Sequence, residues 1–130
     1  MHDLAPASAS HDRPGHLVRA AAFFELTKPR IAVLLLITLI AAMFCAQAGL
    51  PSLQLIAVTS LGFFLTSGGA SALNHVVDRD IDALMERTKR RPVVDGTIAP
   101  LEGAIFGIAL MAAGTLLIGY SQAGWLAAWL

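Results

Sequence analysis

The sequence predicts an all-α protein: a polytopic transmembrane helix bundle of three spans plus the start of a fourth. Three observations carry this. Of the 130 residues, 56% are hydrophobic and only 14% are charged, against about a quarter charged in a soluble domain. The net charge is zero, yet the charges are not mixed through the chain; all lie between Asp3 and Arg30 or between Asp78 and Glu102. The two uncharged blocks, Ile31 to Val77 and Gly103 to Leu130, are long enough to supply spans of about 20 residues, the length that crosses a hydrocarbon core.

Residues 1–23 are expected to form a disordered cytoplasmic tail, with the membrane domain occupying residues 24–130. The start is polar and Pro-containing, and no cleavage site follows its apolar run, unlike a secretory leader. Asp3 and Asp12 argue against an acid-poor transit peptide. The first span is expected from about Ile31 to Ala48. Pro29 suits a helix's first turn, where a missing N–H costs little. Cys45, the one cysteine, forms no internal disulfide and reads as a small buried hydrophobe. A turn at "AGLPS" leads into a second span from about Pro51 to the charged stretch "NHVVDRDIDALMERTKRRP" (Asn74 to Pro92). Within it, Ser67, Gly68, Gly69, Ala70, Ser71 and Ala72 form a run of small residues. Such a run lets helix backbones approach closely or leaves room for a bulky apolar substrate. The third span covers about Leu101 to Tyr120. "SQAG" is a further turn, and "WLAAWL" opens an apolar run at which the sequence stops, so the chain is expected to be the front part of a larger protein.

Arg13, Arg19, Lys28 and Arg30 precede the first span. Arg79, Arg87, Lys89, Arg90 and Arg91 follow the second, and the intervening turn has no basic residue. The positive-inside rule then puts the N-terminus and the Asn74–Pro100 loop together on the cytoplasmic side.

The chemistry concentrates in that loop. On a helix continuing past the membrane surface, Asn74, Asp78 and Asp82 stand at i, i+4 and i+8 and share one face. An amide oxygen and two carboxylates are hard ligands that suit Mg2+ held jointly with substrate phosphates. Arg87 and Arg91 follow closely, and Arg grips phosphate oxygens in a bidentate fork. Lys28 and Arg30 open the first span on the same side and are within possible reach. Acids and bases beside an apolar bundle match a prenyl diphosphate, which has a charged head and a hydrocarbon tail. Simpler explanations stay open at this point: i, i+4 pairing through Asp82, Glu86 and Arg90, a solvated charged loop, or basic residues that only set topology. His75, beside the motif, reads best as an ordinary interfacial histidine.

The pattern Asn-x-x-x-Asp-x-x-x-Asp at the end of the second span resembles the first aspartate-rich motif of the intramembrane aromatic prenyltransferase family. "RTKRRPVVDG" resembles that family's Arg-Thr-x-x-Arg-Pro loop with its later glycine, here Gly96. "ELTKPRIAVLLLIT" and "GGASALNHVVDRDIDALMERT" look most like the branch that farnesylates haem. The resemblance covers about Phe24 to Pro100. It implies a multi-pass enzyme of the bacterial inner membrane that moves a farnesyl group from farnesyl diphosphate to a vinyl group of haem b. It also implies magnesium held through the diphosphate by Asn74, Asp78 and Asp82, with Arg87, Arg91, Lys28 and Arg30 binding the diphosphate. The lipid bilayer is the other expected partner, and no nucleic acid is expected. The family's second aspartate-rich motif is absent from these 130 residues, so half a metal site, inactive alone, is expected. The alternatives are a prenyltransferase for a quinone or chlorin acceptor, or a small non-enzymatic membrane protein whose cytoplasmic loop binds a partner.

Overall fold

The computed structural model describes residues 15–46 and 49–121. They form five helices: α1 (His16–Leu26), α2 (Pro29–Ala46), α3 (Leu53–Val77), α4 (Arg79–Asp82) and α5 (Pro100–Tyr120), with no strand among the described residues. The expected fourth span lies outside them, as do residues 1–14.

Helices α2, α3 and α5 are each long and apolar enough to cross a membrane. Their boundaries follow from local chemistry. Pro29 and Pro100 open α2 and α5, positions where the missing N–H is not needed. Ser52 caps α3 by accepting from the Leu55 N–H at 3.2 Å. Glu102 Oε2 accepts from the Ala99 N–H at 3.0 Å at the start of α5, half of a capping box.

The largest contact is between α3 and α5, with α2 resting more lightly on α3. The α3–α5 seam is made by glycines. A Cβ on Gly69 would lie 2.5 Å from the Gly107 carbonyl oxygen, and one on Gly62 would lie 3.0 Å from that of Gly114. Between hydrocarbon-immersed helices there is little hydrophobic drive to associate, so close backbone approach is the main source of attraction. Helix α2 buries only Ala32, and Ile31, Val33, Leu34, Leu35, Ile37 and Phe44 face outward, as expected of a segment whose surroundings are apolar. Cys45 is exposed, not the buried hydrophobe the sequence suggested, because this face of α2 has nothing packed on it among the described residues.

The packed core lies at the charged end of the bundle. Ala22, Leu26, Ala72, Val93 and Ile98 form it, with Phe23, Val76 and Phe106 against them. The expectation of disorder through residue 23 is therefore corrected from His16 onward. Helix α1 is held by Leu26, fully buried, by a tilted ring contact of Phe23 with Phe106 at 4.9 Å, and by an Arg19–Glu102 ion pair at 2.7 Å.

Candidate functional site

Four segments converge at this end: the α1–α2 joint, the last turns of α3, α4 and the loop that follows. Helix α3 stops at Val77, and Asp78, at φ −84° and ψ 0°, caps it. The hydrogen-bond ladder nearly continues, with Asp78 N–H donating to the Asn74 carbonyl at 2.9 Å and Asp82 N–H to the Asp78 carbonyl at 2.8 Å. The three motif residues nevertheless do not keep one common face. Asn74 and Asp78 are exposed while Asp82 is buried. The bend after Asp78 turns Asp82 inward, where Arg91 Nη1 donates to its Oδ2 at 2.5 Å. The buried Thr88 hydroxyl donates to the Asp82 carbonyl at 2.9 Å. Asp82 is thus paired with Arg91 and not with Glu86 and Arg90, and Glu86 bonds Lys89 instead, at 2.6 Å.

The loop itself is a succession of turns. Arg91 N–H donates to Thr88, Val94 and Asp95 N–H donate to Arg91, and Ile98 N–H donates to Pro92, all onto carbonyls. Gly96 sits at φ +85°, a left-handed conformation that disfavours any side chain. The Asp95 carboxylate accepts from the Thr97 N–H at 2.9 Å and returns the chain toward Ile98. The buried Val93 and Ile98 then pin the loop to the core.

Lys28 is the one non-glycine residue at positive φ (+48°) among the described residues. This left-handed step lets the chain turn from α1 into α2 within a single Thr27–Lys28 joint. It also sets Lys28 and Arg30 against the end of α3. Lys28, Arg30, Arg91 and His75 line one cavity of about 550 Å³, with Glu25, Pro29 and Ile31. A second cavity of about 270 Å³ is lined by Asn74, Ser67, Ala70 and Ser71 of α3, and by Thr27, Lys28, Ile31 and Ala32. Lys28 and Ile31 belong to both.

The run of small residues on α3 therefore divides by face. Gly69 meets α5, and Gly68 lies under Thr27. Ser67, Ala70, Ser71 and Asn74, at i, i+3, i+4 and i+7, form a third face along the second cavity. Packing and open space, alternatives in the sequence, are both present on different sides of one helix.

Of the residues singled out from sequence, Lys28, Arg30 and Arg91 are brought together, Asn74 adjoins them, and Asp82 is joined to Arg91. Asp78 and Arg87 are exposed and line neither cavity. The sequence reading gave His75 no place in the site, yet it is 3% exposed and lines the basic cavity. Its position next to Asn74 was the available signal.

No cluster of three His, Cys, Asp or Glu side chains able to hold a metal occurs among the described residues. Of the motif's oxygen donors, those of Asn74 and Asp78 are open to a hard cation shared with phosphate, while the buried Asp82 does not share their face. The Asn74 and Asp78 side chains have no hydrogen-bond or ion-pair partner among the described residues, and Asp82 gives only one oxygen to Arg91.

Residues 35–130 match the UbiA prenyltransferase family. The protoheme IX farnesyltransferase of Streptomyces avermitilis is 52% identical over 127 residues, covering 98% of this chain and 41% of that protein. That of Streptomyces coelicolor is 53% identical over 112 residues, covering 86% and 35%. That of Azotobacter vinelandii is 50% identical over 110 residues, covering 83% and 36%. The chain thus spans well under half the length of the curated relatives it matches. No solved structure matches it.

Proposed function

This chain belongs to the UbiA prenyltransferase family, and on that premise we propose that its protein transfers a farnesyl group from farnesyl diphosphate to a vinyl group of haem b, giving haem O. The three relatives of about 50% identity described above carry the name protoheme IX farnesyltransferase. The observation that carries the reading here is the joining of two cavities at Lys28 and Ile31. One is lined by three cations, suiting the charged head of a prenyl diphosphate. The other, lined by Lys28, Asn74 and the small or apolar side chains of Thr27, Ile31, Ala32, Ser67, Ala70 and Ser71, leaves space beside it for the start of the hydrocarbon tail. By the positive-inside rule, this end of the bundle faces the cytoplasm of a bacterial inner membrane.

The reaction breaks the allylic C–O bond of the donor. Its electron pair leaves with diphosphate, the vinyl carbon of haem b attacks the allylic carbon, and water adds to the cation left on the porphyrin side, releasing a proton. Negative charge grows on the departing diphosphate. Groups fixed in advance around that charge lower the barrier more than equally mobile ones in water. Lys28, Arg30 and Arg91 are those groups, and Asp82 orients Arg91 from behind. Asn74 and Asp78, whose side-chain oxygens have no partner among the described residues, would hold magnesium, which would add Lewis-acid neutralisation of the leaving group when bound with diphosphate, while the buried Asp82 serves to hold Arg91. Ser67, Ala70 and Ser71 leave the space in which the first isoprene units lie, shielded from water.

Haem extraction from cells expressing the complete protein, resolved by chromatography, tests the reading. Wild type yields haem O, and Asp78→Ala yields none while still inserting into the membrane. Near-normal haem O from Asp78→Ala would remove the metal–diphosphate role of the motif. A different prenylated product would remove haem as acceptor.

A further inference from the structure

His75 is 3% exposed, and neither ring nitrogen has a hydrogen-bond partner among the described residues. Buried polar atoms are nearly always paired, and leaving one unpaired is costly. In its neutral form an imidazole carries one N–H that needs an acceptor. The charged groups nearby do not provide one. Lys28 and Arg91 only donate, and none of Asp78, Asp82 and Glu25 bonds either nitrogen. An occupant of the cavity that His75 shares with Lys28, Arg30 and Arg91 would supply that acceptor. Lys28, Arg30 and Arg91, set against Glu25 and the Asp82 paired with Arg91, still leave a net positive charge, and an acceptor that answers both that charge and the His75 N–H is a phosphate oxygen.

We propose that His75 is a diphosphate-binding residue, donating a ring N–H to a phosphate oxygen held in the cavity of Lys28, Arg30 and Arg91. The proposal rests on the prenyl diphosphate reading of the same site and adds to it a ring N–H donor carried by α3. A neutral donor is useful there. It contributes a directed hydrogen bond, and its rigid ring on α3 fixes the phosphate relative to Asn74, one residue away.

The test uses the complete protein with inorganic diphosphate and Mg2+ as the probe, by titration calorimetry and by competition against farnesyl diphosphate. His75→Phe keeps the ring's bulk and removes both nitrogens, and should weaken inorganic diphosphate binding about tenfold. His75→Gln keeps a donor and should stay within about threefold of wild type. The KM for haem should not move in either variant. Unchanged diphosphate affinity in His75→Phe would overturn the proposal. So would a variant that melts earlier without diphosphate but binds it normally, since the acceptor would then belong to another part of the chain. Should His75→Phe fail to accumulate, 15N-labelled histidine in the wild-type protein reads the same contact, its signal assigned by its loss in His75→Gln. A ring signal that shifts on adding diphosphate supports the bond, and one that stays still refutes it. A wild-type protein that does not bind inorganic diphosphate at all would sink the site reading as well. Normal wild-type binding with an unaffected His75→Phe would sink only the part given to His75.

Discussion

Arg91 Nη1 donates to Asp82 Oδ2 across 2.5 Å, closing the highly charged loop onto the short helix α4 that follows the second membrane helix. The Asp82 side chain is 4% exposed and that of Arg91 is 24% exposed. The bond has two effects. It removes the repulsion that a cluster of carboxylates at a helix end would otherwise feel, and it holds one guanidinium face toward the cavity shared with Lys28 and Arg30.

Removing one partner of such a pair should be worse than removing both. Breaking a buried ion pair from one side typically costs about 3–5 kcal/mol, and the partial exposure of Arg91 lowers this to about 2 kcal/mol. Asp82→Asn should therefore lower the unfolding free energy of the complete protein in detergent by about 2 kcal/mol. A double-mutant cycle with Arg91→Gln should return a clear coupling energy. Strictly additive effects of the two substitutions would mean that the pair does not form in the folded protein.

Lys28→Gly should separate backbone strain from charge. The left-handed φ of +48° at Lys28 costs an ordinary residue about 1–2 kcal/mol, and glycine relieves it while losing about 0.5–1 kcal/mol through its freer unfolded chain. The net expectation is a gain of about 0.5 kcal/mol in stability, since most of the strain relief is offset. Affinity for inorganic diphosphate should fall about tenfold, the loss of a charged contact worth about 1.4 kcal/mol. Calorimetric binding and thermal unfolding on the same preparation read both. Diphosphate affinity unchanged by this substitution would take Lys28 out of the site.

Gly69→Ala should loosen the contact on which the bundle depends. Its Cβ would lie 2.5 Å from the Gly107 oxygen and 2.7 Å from the Met111 backbone nitrogen, and neither backbone atom can rotate away. Overpacking of this kind costs about 1–3 kcal/mol, more than the roughly 1 kcal/mol that alanine gains over glycine in a helix. Resistance to unfolding in detergent should drop accordingly. An alanine variant at least as stable as wild type would contradict the close α3–α5 seam.

Ala70→Leu should affect the donor's tail and not its head. Ala70 is exposed to the second cavity and lies off the α3–α5 seam. The substitution should leave stability within about 0.5 kcal/mol of wild type and inorganic diphosphate binding unchanged. The KM for farnesyl diphosphate should rise several-fold, as measured by initial rates of haem O formation. A normal KM would mean that the isoprene units lie elsewhere.

The spans were legible because hydropathy and helix length are local properties. The expected spans begin and end within a few residues of α2, α3 and α5, and the prolines at 29 and 100 mark two of the starts. Helix α1 was less legible. Arg19, Ala22, Phe23 and Leu26 recur at helical spacing, but an 11-residue helix is marginal by itself, and its support comes from Phe106 and Glu102 far along the chain. The motif's register was legible only up to Asp78. Equal spacing of Asn74, Asp78 and Asp82 predicts one face on an unbroken helix, whereas Arg91 and Thr88 take Asp82 to the inside.

The sequence alone determined that three apolar helices are separated by one short turn and one charged loop, and that acids and bases gather beside the second. These follow from composition along the chain, since a backbone in hydrocarbon must satisfy its own hydrogen bonds and charges must stay out. Only the tertiary structure decided which of those charges meet. Lys28 and Arg30 reach Arg91 and His75 because the left-handed joint at Lys28 and the folded loop bring both ends of the charged surface around the same turn of α3. Distance between residues remote in sequence is set by packing, and the pairing of Arg91 with Asp82 over the other nearby carboxylates reflects where burial makes an opposite charge most valuable.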